Sequence, residues 1–342
     1  MSLILALLGR QVVDETDLKI ISILSKNCRE SFMSIGSTVG MTSKSVKARV
    51  DTMLSTGVIE EFVVKVNPVA LGYGMNCMLI VREHTEHIED ILNRLNLLGD
   101  VSTHTKCLGG ISAFCLAIKE GYEDKFKVLF DSLKTATVHV MFTSKLSLSP
   151  SSRSDPRYKH ELSETDLRII KCLLSNPRMD LNDIGRKTSM SAKTVHRRLT
   201  RMRDNNVLKF FILCNPAYTL GYIQFVLIVN TVDKSFYNQI VERIYEELGE
   251  NVLCQPPVID PDKVITVILF SQDIFTANGI LKKVESFNGV KRVELFIITE
   301  TKNYHEWVLR EIDRRLIAKS TKAKQEMKPV YEVMSVGSAL SK

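Results

Sequence analysis

Hydrophobic residues recur along the chain with two different spacings, and regions of one spacing alternate with regions of the other. Leu18, Ile21 and Leu24 follow one another at three-residue intervals, which places them on one face of a helix. Met75–Val81 and Ile111–Ile118 are instead short, almost continuously apolar runs, a pattern typical of buried strands. The pattern therefore predicts a helical region followed by a strand-rich region, and then a second pair of the same kind.

An internal repeat accounts for this alternation. A shift of 149 positions aligns Val13–Val58 with Leu162–Val207, and 17 of the 46 aligned residues are identical. After a slip of one residue the match resumes at VNPVALGY and CNPAYTLGY, each followed by an apolar run that ends in LIV. Self-similarity of this length indicates a duplicated module. Between the copies, Ser149–Glu161 is rich in serine, proline and charge, and we expect it to be a linker.

Each helical region begins with the same signals. Asp14 and Ser163 are each followed three residues later by an aspartate, which is the pattern of a capped helix start. A short second helix is predicted in each copy, and a third begins after Thr42 or Ser191. Helix, short helix, turn and helix is the order of a helix-turn-helix. The β-prone stretches VIEEFVVKV and VLKFFILC follow as a wing or as a connecting strand.

Both strand-rich regions have the order strand, helix, strand, strand, helix, strand. This is the order of the ferredoxin-like sandwich, in which two helices cover one face of a four-stranded antiparallel sheet. The predicted fold class is therefore α+β, with two winged helix-turn-helix domains alternating with two sandwiches. Because the strands are apolar on both faces, we expect the open face of each sheet to pack on another sheet. Pairing within one chain is the most economical arrangement, and pairing between chains is equally allowed.

The predicted boundaries divide the chain into six segments. We call the helix-turn-helix domains 12–66 and 162–214 the first and second heads, and 67–148 and 215–300 the first and second sandwiches. The linker is 149–161, and residues 301–342 form a helix and a lysine-rich tail. Val308, Ile312 and Leu316 give this helix an apolar stripe beside Trp307, and we expect it to dock on its own or a neighbouring chain.

Composition adds limits on location and chemistry. Apolar residues at 44% and charged residues at 25% are ordinary for a globular protein, and Leu3–Leu8 is too short to span a bilayer. We therefore expect a cytoplasmic protein with no membrane partner. The seven cysteines are scattered without a CxxC pair, and we interpret them as reduced core thiols. The net charge of +7 indicates, weakly, an anionic partner.

These motifs together resemble the Lrp/AsnC family of bacterial and archaeal transcription regulators, present here as a tandem duplication. The resemblance covers about Val13–Thr299 and rests on ETDLKIISIL, IGSTVGMTSKSVKARVDTMLSTGVIEEF, ETDLRIIKCLL, IGRKTSMSAKTVHRRLTRMRDNNVLKFF and the NP...LGY hinge before each sandwich. It implies that the heads bind double-stranded DNA and that the sandwiches dimerise and often sense an amino acid. A family member of ordinary length acts as a dimer, so this chain resembles a covalent pseudo-dimer. We expect such chains to assemble further into a homo-oligomer.

Charge distinguishes the two heads. Residues 13–66 carry seven Lys and Arg against seven Asp and Glu, whereas residues 161–212 carry eleven against six, giving net charges of 0 and +5. We therefore expect the second head to bind DNA more tightly. The N-terminal part of its third helix is predicted to bring near base edges Ser191, Lys193, Thr194 and Arg197. Arg198, Arg201 and Arg203 are predicted to contact phosphates, and His196 flanks the outer face of the same helix as a further DNA-binding residue.

The matching helix of the first head is less basic. Its predicted DNA-binding residues are Thr42, Lys44, Ser45, Lys47 and Arg49. Asp51 on the same helix repels phosphate and would help only by accepting a hydrogen bond from a cytosine amine. For any single charge in either head, a solvated helix face is the alternative interpretation.

An amino-acid-like effector is the other partner that the resemblance implies. Family members bind amino acids at sandwich interfaces, using a glycine- and acid-rich turn between the middle strands. In this chain the first turn keeps Gly109 and Gly110 without the acid, and the second has Asp260 and Asp262 without glycine. Both are also ordinary β-turn sequences, which is the alternative interpretation.

No enzymatic activity, cofactor or metal is predicted. The histidines form no clear metal-ligand spacing, and no phosphate-binding loop or nucleophile motif is present in the sequence. The alternative is an enzyme on the same architecture, because the siroheme decarboxylases resemble Lrp/AsnC proteins and act on a tetrapyrrole with histidine and arginine. On that interpretation His104, on the second strand of the first sandwich, is the residue to watch.

Overall fold

The computed structural model describes residues 11–82, 88–122, 124–125, 128, 138–141, 162–253, 258–260 and 264–318. The predicted linker 149–161, the first ten residues and the tail after residue 318 lie outside the described residues. Within them, helical and sheet regions alternate twice, as the hydrophobic pattern predicts. None of the helices among these residues combines the length and the hydropathy that a membrane span requires.

The first head folds around three helices. Its elements in chain order are β1 (Gln11–Val12), α1 (Glu15–Lys26), α2 (Phe32–Val39), α3 (Ser43–Ser55) and β2 (Ile59–Val66). Asp14 and Asp17 form the predicted capping box at the start of α1, and Thr42 caps α3. The apolar stripe of α1 is buried against the other two helices. The prediction of a helix-turn-helix is confirmed here.

The first sandwich follows directly. Its described elements are β3 (Tyr73–Arg82), α4 (Ile88–Asn96), β4 (Gly99–Cys107), β5 (Ile111–Lys119) and β6 (Val138–Met141). The strands are antiparallel, and β3 lies between β5 and β6, as the ferredoxin-like order requires. The second helix predicted for this domain, at about 125–133, lies almost wholly outside the described residues.

The second head repeats the first. Its elements are α5 (Glu164–Ser175), α6 (Leu181–Thr188), α7 (Ala192–Asp204) and β7 (Leu208–Cys214). Ser163 and Asp166 form the capping box of α5, and Ser191 caps α7, as the sequence predicts. Ser189 adopts a left-handed conformation (φ 56°) at the end of α6, where the first head has Gly40 (φ 72°). The same turn is therefore built with different residues.

The second sandwich contains the longest strand of the described chain. Its elements are β8 (Thr219–Leu220), β9 (Ile223–Thr231), α8 (Tyr237–Leu248), β10 (Val258–Asp260), β11 (Val264–Ser271), α9 (Ile274–Glu285) and β12 (Val290–Asn303). A final helix, α10, spans 306–318. The helices α8 and α9 bury their apolar faces on the sheet, which gives this domain its own core. The predicted βαββαβ order is confirmed.

The two sandwiches share one eight-stranded sheet, in the order β10-β11-β9-β12-β4-β5-β3-β6. The strand β12 pairs with β9 up to Ile297, and from Ile298 onward, where its register is irregular, it pairs with β4. A separate apolar cluster also joins Ile80 and Cys107 of the first sheet to Val226 of the second. The two sheets are therefore joined within the chain by edge-to-edge pairing through β12, whereas the predicted packing of one sheet face on the other stays a prediction.

The strands that follow the recognition regions connect the heads rather than forming a wing on each. Among the described strands, antiparallel β2 and β7 pair only with each other, including Phe62 with Ile212 and Val63 with Phe211. A shift of 149 positions converts the first of these pairs into the second. The heads are therefore related by a pseudo-twofold axis that passes through this ribbon, and their buried residues form one continuous core.

The helix α10 docks on its own chain. Trp307, Val308 and Ile312 are buried in the core that the two heads share. The Trp307 ring lies edge-on to Tyr73, with 5.1 Å between ring centroids. The predicted docking is thus confirmed, on the chain's own surface. The six cysteines within the described residues are free thiols, and Cys254 lies outside those residues.

Candidate DNA-binding interface

In both heads the turn before the recognition helix depends on a glycine. We use the term recognition helices for α3 and α7. A Cβ atom at Gly36 would collide with the backbone carbonyl oxygen of Met41, and one at Gly185 would lie 2.5 Å from that of Met190. No larger residue fits at such a separation without moving the backbone. The glycines therefore fix how each recognition helix leaves its neighbour, which determines how it faces a partner.

Four of the predicted DNA-binding residues begin the recognition helices. The hydroxyl of Thr42 accepts from the backbone N–H of Ser45 (3.1 Å), and the two hydroxyl oxygens lie 2.8 Å apart. Ser191 and Thr194 repeat this arrangement at 3.2 and 3.0 Å. The hydroxyls thus cap the helices. In each pair one hydroxyl donates to the other, so the accepting hydroxyl keeps its own O–H for a partner.

The outer face of α7 presents three side chains with unused hydrogen-bonding capacity. Lys193, His196 and Arg197 are exposed, on the side of the helix opposite its buried apolar residues. Within the described part of the chain, none of them forms an ion pair or a side-chain hydrogen bond. The guanidinium of Arg197 therefore offers all five of its N–H donors to a partner.

Arg198 and Arg201, both predicted at phosphates, are instead engaged with a buried carboxylate. Arg198 donates to Asp166 (2.9 Å) and to the hydroxyl of Ser163 (3.1 Å), and Arg201 donates to the other oxygen of Asp166 (3.1 Å). The Asp166 side chain is only 1% exposed, whereas Arg198 is 26% and Arg201 50% exposed. Arg198 is therefore largely withdrawn from the surface. Arg201 keeps an outward side, and Arg203 is exposed beside Asp204 (3.5 Å).

The buried carboxylate is charged at neutral pH. Burial by itself would raise the pKa of Asp166, but hydrogen bonds from Ser163 and Arg198 outweigh it and hold the pKa below its usual value. Asp166 also belongs to the capping box at the start of α5. One carboxylate therefore both caps the first helix of the head and anchors the recognition helix to it.

The first head repeats this anchor and has fewer free cations. Arg49 donates to Asp14 (2.7 Å) and to Asp17 (2.9 Å), so this predicted DNA contact is also engaged within the protein. Lys47 forms an ion pair with Asp51 one turn along the helix (2.6 Å). Lys44 is exposed, without an ion pair or side-chain hydrogen bond among the described residues.

Two arginines that the sequence analysis did not single out join the heads. Each donates to two backbone carbonyl oxygens of the opposite head: Arg29 to Pro177 (2.6 Å) and Met179 (3.0 Å), and Arg178 to Cys28 and Glu30 (3.2 Å). The shift of 149 positions exchanges the two sets. We call Arg29 and Arg178 the arginine clasp. The available signal was that both copies of the repeat have arginine at this position. A charged residue by itself is more typical of a solvated surface.

The candidate effector turns are only partly described. Gly109 and Gly110 form the β4–β5 turn with φ of 90° and 72°, values that favour glycine. The turn lies against the second sandwich, because the backbone N–H of Leu108 donates to the carbonyl of Ile297 (2.7 Å). Asp260 ends β10, and its side chain, like the whole of Asp262, lies outside the described residues. The structure therefore describes only the first of the two predicted turns.

His104 occupies an enclosed position. It is 4% exposed, its Nε2 lies 3.0 Å from the hydroxyl of Ser112, and its ring stacks on Phe114 with 4.4 Å between centroids. Among the described residues, no group of three or more His, Cys, Asp or Glu side chains could hold a metal ion.

Comparison with known proteins places these features in a family. Residues 13–54 match an AsnC-type helix-turn-helix domain, and residues 162–209 match a winged helix-turn-helix DNA-binding domain. The chain is 31% identical to the HTH-type transcriptional regulator Ptr1 of Methanocaldococcus jannaschii over 122 residues, which are 36% of this chain and 82% of that protein. The chain belongs to the Lrp/AsnC family. The HTH-type transcriptional regulator FL11 of Pyrococcus abyssi is 28% identical over 41% of this chain and 91% of its own length.

These shares fit a duplicated Lrp/AsnC chain. Each relative matches over most of its own length, but the match takes up less than half of this chain. Among solved structures, the siroheme decarboxylase NirDL covers 91% of this chain and 100% of its own, with 15% identity and a TM-score of 0.48. PH0061 covers 42% of this chain and 96% of its own, with 18% identity and a TM-score of 0.34. Likeness at these levels carries no argument about activity.

Proposed function

We propose that this Lrp/AsnC chain is a sequence-specific DNA-binding transcription regulator that acts as a covalent pseudo-dimer. The observation that carries the proposal is the pseudo-twofold relation between the heads. A duplex site with two half-sites has its own approximate twofold axis, so a protein with two heads related in this way can contact both half-sites at once. Occupancy near a promoter would then block or assist polymerase.

In the second head, some side chains would contact DNA and others hold the recognition helix in position. Lys193 and Arg197 are exposed and have donors to spare, which suits base or phosphate contacts. Arg198 is a positioning residue in this proposal, because its guanidinium is held by Asp166 and Ser163. In the first head, Lys44 would contact DNA, and Arg49 is the positioning residue because Asp14 and Asp17 hold its guanidinium.

The proposal includes an effector and further assembly. The Gly109–Gly110 turn is a reasonable place for an amino-acid-like effector, because it lies at the contact between the sandwiches and a Cβ at Gly109 would meet only open space. Calorimetric titration of the whole protein with each of the twenty amino acids tests the effector. If none of them gives a heat of binding at any concentration, this part of the proposal is contradicted. Light scattering tests whether the chains form a homo-oligomer.

The central test is a salt series. Affinity would be measured for the DNA upstream of the protein's own gene and for unrelated duplex, with the intact protein and a Lys193→Ala/Arg197→Ala variant. Log affinity should fall steeply with log salt, and the slope should shrink by about 0.9 for each phosphate contact that the variant loses. The upstream DNA should bind more tightly than the unrelated duplex.

A matched control is the substitution Arg292→Ala on β12, which also removes an exposed cation but lies in the second sandwich. It should leave the slope unchanged. Weak binding that responds to neither salt nor the double substitution would contradict a DNA-binding function.

A further inference from the structure

Both heads would approach a duplex with the same backbone geometry. The ribbon register and the arginine clasp each map onto themselves when the two copies of the repeat are exchanged. The glycines that set the two recognition helices also occupy equivalent positions. Any difference in what the heads read must therefore come from the side chains on the outer faces of α3 and α7.

Some of these side chains are shared. Lys44 corresponds to Lys193, and both are exposed. Ser45 corresponds to Thr194, and each makes the same hydrogen bonds to its capping residue. These positions give both heads the same chemistry, so they favour similar bases in the two half-sites.

The next outward position breaks the symmetry. Ala48 in α3 and Arg197 in α7 are equivalent, and both are exposed. A free arginine on a recognition helix donates two hydrogen bonds to O6 and N7 of guanine, whereas an alanine methyl offers only an apolar contact, which suits the methyl group of thymine. The two residues therefore favour different bases at the same position of a half-site.

One turn further along, the asymmetry continues. Asp51 and Thr52 of α3 correspond to Thr200 and Arg201 of α7. The carboxylate of Asp51 is held by Lys47, so this part of the first head is close to neutral. Arg201 is half exposed beside its carboxylate partner, which leaves the equivalent part of the second head able to meet a phosphate.

We propose that the operator is asymmetric and that the protein binds it in one orientation. The half-site under the second head carries a guanine that Arg197 reads, and the half-site under the first head lacks that guanine and accommodates Ala48, with thymine favoured. This inference rests on the proposed DNA-binding function and adds its specificity. A bound chain would consequently have one fixed orientation relative to the promoter, whereas a symmetric dimer presents the same surface in both directions.

The first test selects bound sequences from a pool of randomised duplexes about 40 bp long, close to four helical turns. The full chain is used, and the recovered DNA is sequenced. The expected result is two unequal half-sites on opposite strands, one with a guanine that the other lacks. We call these half-sites B, for the guanine-containing half, and A. Three duplexes, A–B, B–B and A–A, are then compared by binding.

Two substitutions assign the halves to the heads. Ala48→Arg should make B–B bind more tightly than A–B by about 5- to 150-fold, the discrimination that one bidentate base contact provides. Arg197→Ala should remove a similar preference for the guanine of B while leaving salt-dependent binding to random duplex. Arg292→Ala, on the second sandwich, serves as the matched control and should change neither preference. Thermal unfolding of each variant verifies that it is folded.

Different results overturn different claims. Two identical half-sites, or a wild-type preference for B–B, would overturn the asymmetric operator while leaving the regulator intact. An Ala48→Arg variant that is folded and still prefers A–B would overturn the role of this position. Recovery of no enriched sequence, together with salt-insensitive binding, would overturn the proposed DNA-binding function itself.

Discussion

Asp17 and Asp166 occupy equivalent positions in the two heads, and each accepts a hydrogen bond from the equivalent arginine, Arg49 or Arg198. On the outer face of the same helices, by contrast, Ala48 stands where the second head has Arg197. The heads are thus alike where side chains hold the recognition helix and differ where side chains meet solvent. A duplicated chain can in this way keep two heads in symmetric positions and still give them different surfaces.

The carboxylates that anchor the recognition helices, Asp17 and Asp166, differ in how far a neighbouring carboxylate can replace them. Their removal should give the largest loss in the free energy of unfolding. Arg49 has two carboxylate partners, Asp14 and Asp17, whereas Arg198 and Arg201 share Asp166 alone. Asp166→Ala should lower the free energy of unfolding by roughly 2–4 kcal/mol, somewhat less than the loss of a fully buried pair because the arginines are partly exposed. Asp17→Ala should cost less. Urea unfolding of both variants measures the difference, and equal costs would contradict this view of the anchors.

The same anchor predicts a pH dependence. Because the folded pKa of Asp166 lies below its usual value, its contribution to stability is present above the unfolded pKa of about 4 and is lost as pH falls through the folded pKa. Thermal unfolding of the wild type should therefore lose stability below about pH 4. In Asp166→Ala this part of the acid loss should be absent. A wild type and variant with parallel pH profiles would exclude the carboxylate as the cause.

The glycines before the recognition helices should give the next largest effect. Gly185→Ala forces a Cβ against the carbonyl of Met190, and we expect a loss of about 1–3 kcal/mol, with weaker DNA binding because α7 is displaced. Gly36→Ala should destabilise similarly but weaken DNA binding less, because α3 carries fewer free cations. The measurements are urea unfolding and fluorescence anisotropy with labelled duplex.

Gly279 on α9 provides a control for these two substitutions. A Cβ there meets nothing within 4 Å, so Gly279→Ala should be neutral or stabilise the protein by up to about 1 kcal/mol through helix propensity. DNA binding that suffers more from Gly36→Ala than from Gly185→Ala would reverse the ranking of the heads.

The arginine clasp holds the two heads together, and its removal should affect both stability and the half-site spacing that the protein prefers. Removal of either guanidinium leaves two carbonyl oxygens of the opposite head without their donor, so Arg29→Ala and Arg178→Ala should each cost about 1–3 kcal/mol. The carbonyl contacts are symmetric, but Arg178 also lies over the rings of Phe32 and Phe62 (4.5 and 5.3 Å), whereas Arg29 lies over that of Phe210 (5.6 Å). Arg178→Ala should therefore cost somewhat more than Arg29→Ala. Binding to duplexes whose half-site spacing differs by one or two base pairs should also become less discriminating, as heads that are held less firmly tolerate more spacings. An unchanged spacing preference would show that the clasp does not set the separation of the heads, and a smaller cost for Arg178→Ala than for Arg29→Ala would contradict the role of the ring contacts.

Local signals made much of the fold predictable. The capping residues Asp14, Ser163, Thr42 and Ser191 determine helix starts through contacts three residues away, and all four are where the sequence predicts them. The joining of the two sheets by β12 was not predictable in the same way. It depends on a change of partner strand after Ile297, which no local pattern in the strand signals.

The candidate site was predicted in outline, and its electrostatics were not. The count of +5 for the second head treats all cations alike, but Arg198 and Arg201 have a buried partner that lies more than thirty residues earlier in the sequence. Asp166 was predicted as a helix cap, which is correct, and its second role as an anchor follows only from tertiary structure. The base contacts themselves stay a prediction.

The smallest predicted effect concerns Asp51, the one acid on the outer face of α3. Asp51→Thr copies the residue of the second head, removes a charge that repels phosphate and releases Lys47 from its ion pair. DNA affinity at low salt should rise about 2- to 5-fold, with a change in unfolding free energy within about 0.5 kcal/mol, because exposed ion pairs contribute little to stability. Glu285→Thr, on the exposed end of α9, changes the net charge equally and should leave affinity unaltered. Equal gains from both substitutions would mean that only the net charge of the chain matters, and that α3 does not approach the duplex closely enough for Asp51 to act locally.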